Sequence, residues 1–274
     1  VNADLDVDPV LTTELLVSFL REEVGSAGMQ RAVVGLSGGI DSALALALCA
    51  EAFGPRNVLA VLLPYRTSNA DSAAHAHLVA DRFGVERRLV DISPMVDGYV
   101  GVNGVSDPTR RGNVMARCRM TILYDLSVEW RGLVVGTSNK TEMLLGYSTQ
   151  WGDAAHAVNP LGDLYKHQVV QLARHLDVPR PVVDKPPSAD LFEGQTDEAD
   201  LGFTYAQADA VLERMVDRRY RRAELLAEGF APELCDAVAR RVVRNQYKRR
   251  PPLIAKLGFR TINHDFRYLR DWLA

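Results

Sequence analysis

The sequence predicts an α/β fold: an open parallel sheet sandwiched between helices, followed by a helical C-terminal portion. Three observations carry this. Short apolar runs alternate with helix-periodic stretches from about residue 28 to residue 150. Two of those runs end in glycine-containing turns, Ser37-Gly38-Gly39 and Gly136-Thr137-Ser138, placed where strands hand over to helices. Beyond residue 150 the strand signal disappears and helical periodicity remains.

Taken in order, Leu11 to Val24 reads as an amphipathic helix with Leu11, Leu15 and Phe19 on its apolar face, flanked by Leu16 and Leu20. Arg31 to Leu36 is the first strand, and Ser42 to Phe53 the helix after it, closed by Gly54-Pro55. Asn57 to Leu63 is apolar throughout, as a strand buried on both faces of a parallel sheet must be. Ala70 to Phe83 is a helix stopped by Gly84, and Arg87 to Ile92 a third strand. In Asn113 to Leu126 the spacing puts Met115, Cys118, Ile122 and Leu126 on one helical face, with Arg117 and Arg119 directed elsewhere. Leu133 to Gly136 is the fourth strand. Ligands of open α/β sheets sit at the carboxyl ends of the strands, so the two glycine turns are expected to line one crevice. Further on, Tyr165–Leu176, Tyr205–Val216, Arg218–Ala227 and Pro232–Tyr247 read as helices, separated early by a proline- and acid-rich loop over 178–200.

The bulk properties set limits. The chain has 274 residues, 47% hydrophobic and 24% charged, close to a soluble globular average. A formal net charge of −3 argues neither for nor against nucleic acid, since local patches matter more than the sum. Cys49, Cys118 and Cys235 are dispersed with no Cys-x-x-Cys pair, which argues against a zinc site, a redox centre or a disulfide framework and suits a reducing cytoplasm. Val1 to Pro9 is acidic rather than basic and then apolar, unlike a signal peptide. No apolar run approaches the ~20 residues of a membrane span. A soluble cytoplasmic protein is expected. The basic cluster Arg240, Arg241, Arg244, Lys248, Arg249 and Arg250 is either a phosphate contact or a solvated helix face.

The chemistry centres on Gly35-Leu36-Ser37-Gly38-Gly39-Ile40-Asp41-Ser42. Adjacent glycines let the backbone approach an anion, and the free amides and dipole of the following helix favour it. A Walker A loop needs lysine before its Ser/Thr. Asp41 stands there instead, and a carboxylate inside a phosphate cradle requires a bridging cation, most simply Mg²⁺. The spelling resembles the pyrophosphatase-type loop of ATP-dependent adenylating enzymes.

Several segments together resemble the ammonia-dependent NAD synthetases. They are Gly112-Asn113 with Ala116 to Met120, Gly136 to Glu142, Gly146 to Thr149, Gly152-Asp153, and Asp163 to Lys166. Lys185 to Leu191, Gly194 to Glu198, and Lys248 to Pro252 complete the series. The resemblance runs from about residue 11 to the end. It implies one domain over 1–274 of adenine nucleotide alpha hydrolase-like, Rossmann-like fold. It also implies a homodimer with the substrate site at the subunit interface. No glutaminase-like segment accompanies it, so ammonia would be free or supplied by a partner.

The implied reaction is attack of a carboxylate on the α-phosphate of ATP, giving an acyl-adenylate and pyrophosphate, followed by displacement of AMP by ammonia. By resemblance, Gly35 to Ser42, Thr137, Lys166 and Ser188 hold ATP, and Asp41 and Glu142 share Mg²⁺. Asp153 stands near the incoming ammonia and accepts a proton. Arg117 and Lys248 keep family contacts to nicotinic acid adenine dinucleotide. Three positions depart: Gln150 where many members have lysine, Ala157 where many have aspartate, and Tyr247 where histidine is common. Two readings of the substrate therefore stay open, that dinucleotide or another carboxylic acid. Other readings of the loop, an RNA-modifying enzyme or a non-catalytic nucleotide binder, fit less well. The first lacks a basic surface and metal-ligating cysteines, and the second leaves Asp41, Glu142 and Asp153 without a purpose.

Overall fold

The computed structural model describes residues 5–188, 196–259 and 261. Asp8 opens the first helix, α1 (Pro9–Ser26), by accepting from the amides of Val10 and Leu11, with Pro9 preset for the first helical position. Then come β1 (Ala32–Gly35), α2 (Ile40–Phe53), β2 (Val58–Leu62), α3 (Ala70–Phe83), β3 (Glu86–Leu89), α4 (Ser93–Val102), α5 (Pro108–Trp130) and β4 (Leu133–Val135). The four strands form one parallel sheet in the order β3-β2-β1-β4. Chain order reverses at β1, with β2 on one side and β4 on the other. That leaves a switch-point crevice at their carboxyl ends, between the two glycine turns.

Strand alternation divides the core. Ala32, Val34, Val58, Ala60 and Leu62 face α1, α2 and α3 and a later helix, α7 (Lys166–His175). Val33, Leu59 and Val61 face α4 and α5 through Ile92, Val96, Met115 and Leu126. Helix α2 is apolar nearly all round because it is enclosed.

The remainder is helical: α6 (Lys140–Leu145) precedes α7, and α8 (Arg180–Val183), α9 (Asp197–Leu201), α10 (Tyr205–Leu212), α11 (Arg222–Ala227) and α12 (Pro232–Arg244) follow it. A second core of Leu145, Tyr165, Leu201, Tyr205, Val211, Leu212 and Cys235 binds this part together. The three cysteines are unpaired.

The structure corrects four sequence expectations. On α1 the buried face is Thr13, Val17, Leu20 and Val24, whereas Leu11, Leu15 and Phe19 are 53%, 61% and 37% exposed. The helix carries two adjacent apolar stripes, and α2 covers only one. The third strand starts at Glu86 and ends at Leu89, an edge strand whose residues are largely exposed. Helices α4 and α6 were unforeseen: α4 carries two internal glycines, and α6 is too short for periodicity to register. The 178–200 loop holds α8 and α9, and its residues Ala189, Asp190, Leu191, Gly194 and Gln195 lie outside the described residues.

Candidate active site

The bend between β1 and α2 is built by its own side chains. Ser42 Oγ accepts from the Ser37 amide at 3.2 Å and donates to the Gly39 carbonyl at 2.9 Å. Ser37 Oγ accepts from the Gly39 amide at 3.3 Å. Gly38 has φ +79°, and a Cβ there would lie 2.1 Å from the Ser72 carbonyl oxygen on α3, so only glycine fits. Gly39 is the N-cap of α2 and provides no side-chain cap, so the first amides of the helix face the crevice, the arrangement that attracts anions.

Asp41 leaves the first turn of α2 towards α6 and α7. Lys166 Nζ meets Asp41 Oδ2 at 2.5 Å and Glu142 Oε1 at 3.7 Å. Asn139, fully buried, joins the two acids: its Nδ2 donates to Asp41 at 2.8 Å and its Oδ1 accepts from the Glu142 amide at 2.9 Å. Tyr205 donates its hydroxyl to buried Asp197 at 3.0 Å. Burial, with the charges of Asp41 and Asp197, pushes Glu142 up to about 8 against the pull of Lys166. Burial alone would lower Lys166, but Asp41 and Glu142 outweigh it and hold the ammonium above its usual range.

Asp41, Glu142 and Asp197 surround one ammonium, and even with Glu142 holding its proton the acids outnumber the cation, which suits a divalent cation. Among the described residues no group of three or more His, Cys, Asp or Glu side chains is placed to hold a metal ion. Mg²⁺ commonly takes one or two carboxylates and completes its shell with phosphate and water, so Asp41 and Glu142 fit it.

The N-terminus of α7, which carries Lys166, is capped from elsewhere in the chain. The Lys166 amide donates to Thr141 Oγ1 at 3.1 Å, and the His167 amide to Asp209 Oδ2 at 2.8 Å. Thr141 and Asp209 are themselves joined at 2.5 Å. Asp209 is 1% exposed, and burial raises its carboxyl.

Farther along the crevice, Asp153 Oδ1 accepts from the Thr149 amide at 2.8 Å. It is reachable by solvent yet hemmed in by protein, and this crowding raises its carboxyl against the opposing influence of Lys248 and Arg119. Lys248 Nζ donates to the carbonyls of Gly146 and Ser148 at 2.7 and 2.6 Å. Arg249 donates to Met143 and Leu144, and Asn245 to Leu145. Part of the basic cluster thus closes the C-terminal carbonyls of α6, a role outside both sequence alternatives.

One crevice of about 820 Å³ is lined by Gly35 to Ser37, Gly39 to Ser42, Thr137, Glu142, Asp153, Lys166, Ser188 and Lys248. Gly136, Thr137 and Ser138 line it too, so the two glycine turns meet as expected. Arg117, Gln150, Ala157 and Tyr247 lie outside it. Arg117 is turned to the Gln150 carbonyl at 3.2 Å, and Tyr247 is 56% exposed. Sequence reasoning assigned no role to Asn139, Thr141, Tyr205, Asp209 or Lys185. Asn139 had a local signal, an Asn-x-x-Glu capping box now realised at α6, and Asn139, Thr141 and Lys185 fall within segments that carry the family resemblance, whereas Tyr205 and Asp209 had none.

An uncapped helix behind a glycine bend at a sheet switch point is the arrangement of an α/β protein whose crevice takes an anionic ligand. Comparison with known proteins narrows the class. A profile of the NAD synthase family matches residues 12–252. The NH(3)-dependent NAD(+) synthetase of Trichlorobacter lovleyi is 54% identical over 268 residues, 98% of each chain. Among solved structures, NMN synthetase from Francisella tularensis superposes with a TM-score of 0.82 at 30% identity, covering 92% of this chain and all of that one. The NH3-dependent NAD synthetase from Campylobacter jejuni does so with a TM-score of 0.79 at 32% identity and the same coverage. The chain belongs to the NAD synthase family.

Proposed function

We propose that this protein is an ammonia-dependent NAD synthetase, amidating the carboxylate of nicotinic acid adenine dinucleotide at the expense of ATP. The observation that carries the reading is the single crevice in which the glycine bend and the Asp41–Lys166–Glu142 cluster face Asp153. The near full-length 54% identity to an NH(3)-dependent NAD(+) synthetase supports the same substrate.

In the first step a carboxylate oxygen of the substrate bonds to the α-phosphorus, and the bond to the bridging oxygen of pyrophosphate breaks with its electron pair. The α2 amides and the Ser37 and Ser42 hydroxyls stabilise the departing charge. Asp41 and Glu142 would hold Mg²⁺, which when bound would supply charge neutralisation there. Lys166 keeps those two acids together, and Thr137 and Ser188 offer hydroxyls to the nucleotide. In the second step ammonia attacks the acyl carbon, and AMP leaves with the electrons of the mixed-anhydride bond. Only neutral ammonia is nucleophilic, so Asp153 orients ammonium and takes its proton; the raised carboxyl is suited to that exchange. Arg117, Gln150, Ala157 and Tyr247 belong to the dinucleotide end and meet it outside the crevice of one chain, in keeping with a homodimer whose site is shared. The chain acts as one domain. No described helix is long and apolar enough to cross a membrane, and we place the enzyme in the cytoplasm.

A second reading, the same chemistry on another carboxylate, draws on the changed residues at 150, 157 and 247 and on the fold match to an NMN synthetase. One experiment separates them. The purified protein is incubated with ATP, Mg²⁺, ammonium and either nicotinic acid adenine dinucleotide or nicotinic acid mononucleotide. NAD, AMP and pyrophosphate in equal amounts, from the dinucleotide only, are expected. Amidation of the mononucleotide instead would install the second reading, and amidation of neither would remove the first.

A further inference from the structure

Among the described residues, the cations that line the crevice are Arg119, Lys166, Lys185 and Lys248. Three are engaged: Lys166 by Asp41 and Glu142, Lys248 by two carbonyls, and Arg119 by the Leu63 carbonyl at 3.0 Å. Lys185 differs. Its Nζ donates to Ser72 Oγ at 2.9 Å, and among the described residues it is paired with no carboxylate. Ser72 is buried on the first turn of α3, and its carbonyl oxygen is the atom that packs against Gly38. The Lys185 ammonium is therefore tethered to the turn that abuts the glycine bend.

We propose that Lys185 is a direct ligand of the pyrophosphate portion of ATP, leaving Ser72 for phosphate oxygen when the nucleotide binds. This rests on the function proposed above and adds a residue to the leaving-group end of that site. The crevice wall carries Asp41, Glu142, Asp153, Asp197 and Asp200 against those four cations. A pyrophosphate group arriving there needs positive charge beyond Mg²⁺, and among the described residues Lys185 is the lining cation held by a neutral hydroxyl alone. Exchange of a neutral acceptor for phosphate oxygen gives a shorter, stronger, charge-assisted contact. A flexible ammonium follows the pyrophosphate as its charge grows during bond breaking.

The test measures inorganic pyrophosphate binding by calorimetry with Mg²⁺ present, together with steady-state kinetics, on wild type, K185M, K185R and S72A. Loss of one charge-assisted contact corresponds to about a ten- to hundredfold effect. K185M should weaken pyrophosphate by that factor and raise KM for ATP while KM for the carboxylate stays put. K185R should recover part of the loss, and S72A should bind pyrophosphate like wild type. A purely structural tie would make K185M and S72A equally defective with parallel losses of Tm, and that result overturns the proposal. So does undiminished pyrophosphate binding by K185M, or none by the wild type. Pyrophosphate binding needs no amide product, so failure here is distinct from failure to make NAD.

Discussion

Replacing Asp209 by alanine tests whether the C-terminal helices set up the ATP site at a distance. Asp209 lies on α10 and lines no part of the crevice, yet it accepts from the His167 amide and from the Thr141 hydroxyl. Alanine leaves both donors without an acceptor in a site where Asp209 itself is 1% exposed. Each unmet buried donor costs about 1–3 kcal/mol, and the relief of no longer burying a carboxylate offsets part of it. The net loss should be about 2–4 kcal/mol. For a chain of this size that corresponds to a fall in Tm of roughly 4–12 °C by calorimetry or circular dichroism. The α7 N-terminus would lose one of its two borrowed caps, and Lys166 on its first residue would lose its alignment with Asp41. KM for ATP should therefore rise several-fold in D209A below its Tm, and T141V should do the same by removing the other cap. If D209A melts like wild type and keeps its ATP affinity, the cross-chain clamp is not what holds Lys166.

Three further outcomes follow from the same geometry. G38A places a Cβ against the Ser72 carbonyl in a left-handed conformation, so it should abolish ATP turnover in a pyrophosphate-release assay and lower Tm. Wild-type turnover by this variant would refute the tight approach. E142A and D41A should each remove Mg²⁺-dependent turnover with any carboxylate, and retained activity in either would dismiss that residue as a ligand. The raised carboxyl of Asp153 gives a stability signature with a definite sign. Its folded form keeps the proton to higher pH than the unfolded chain does, so stability falls as pH rises from the ordinary value of 3.8 through the raised one. D153N should flatten that part of a Tm-against-pH profile, and an unchanged slope would show that Asp153 does not titrate as described.

Much of the site was legible because it is local. Ser37, Gly38, Gly39, Asp41 and Ser42 are consecutive, and their strand-turn-helix context is written in the β-branched run before them and the apolar helix after. The Gly136-Thr137-Ser138 turn after β4 reads the same way, whereas α6 just beyond it, with its Asn139–Glu142 capping box, is too short for periodicity to reveal. In α1, by contrast, two apolar stripes share one helix, and periodicity cannot choose which one meets α2. The basic cluster near residues 240–250 was equally ambiguous, because Lys248 and Arg249 find their partners at the C-terminal end of α6, about a hundred residues away.

By itself the sequence determined the parallel α/β core, the helical tail and the glycine bend between β1 and α2, since each depends on residues within one turn or one strand of each other. Tertiary structure alone decided that Lys166 lies between Asp41 and Glu142, that Asp209 and Thr141 cap its helix, and that Lys185 is tied to the wall of the bend. Those contacts join residues up to 125 positions apart. They exist because the sheet's switch point and the second core bring α2, α6, α7 and α10 to one place, and no periodicity along the chain encodes that meeting.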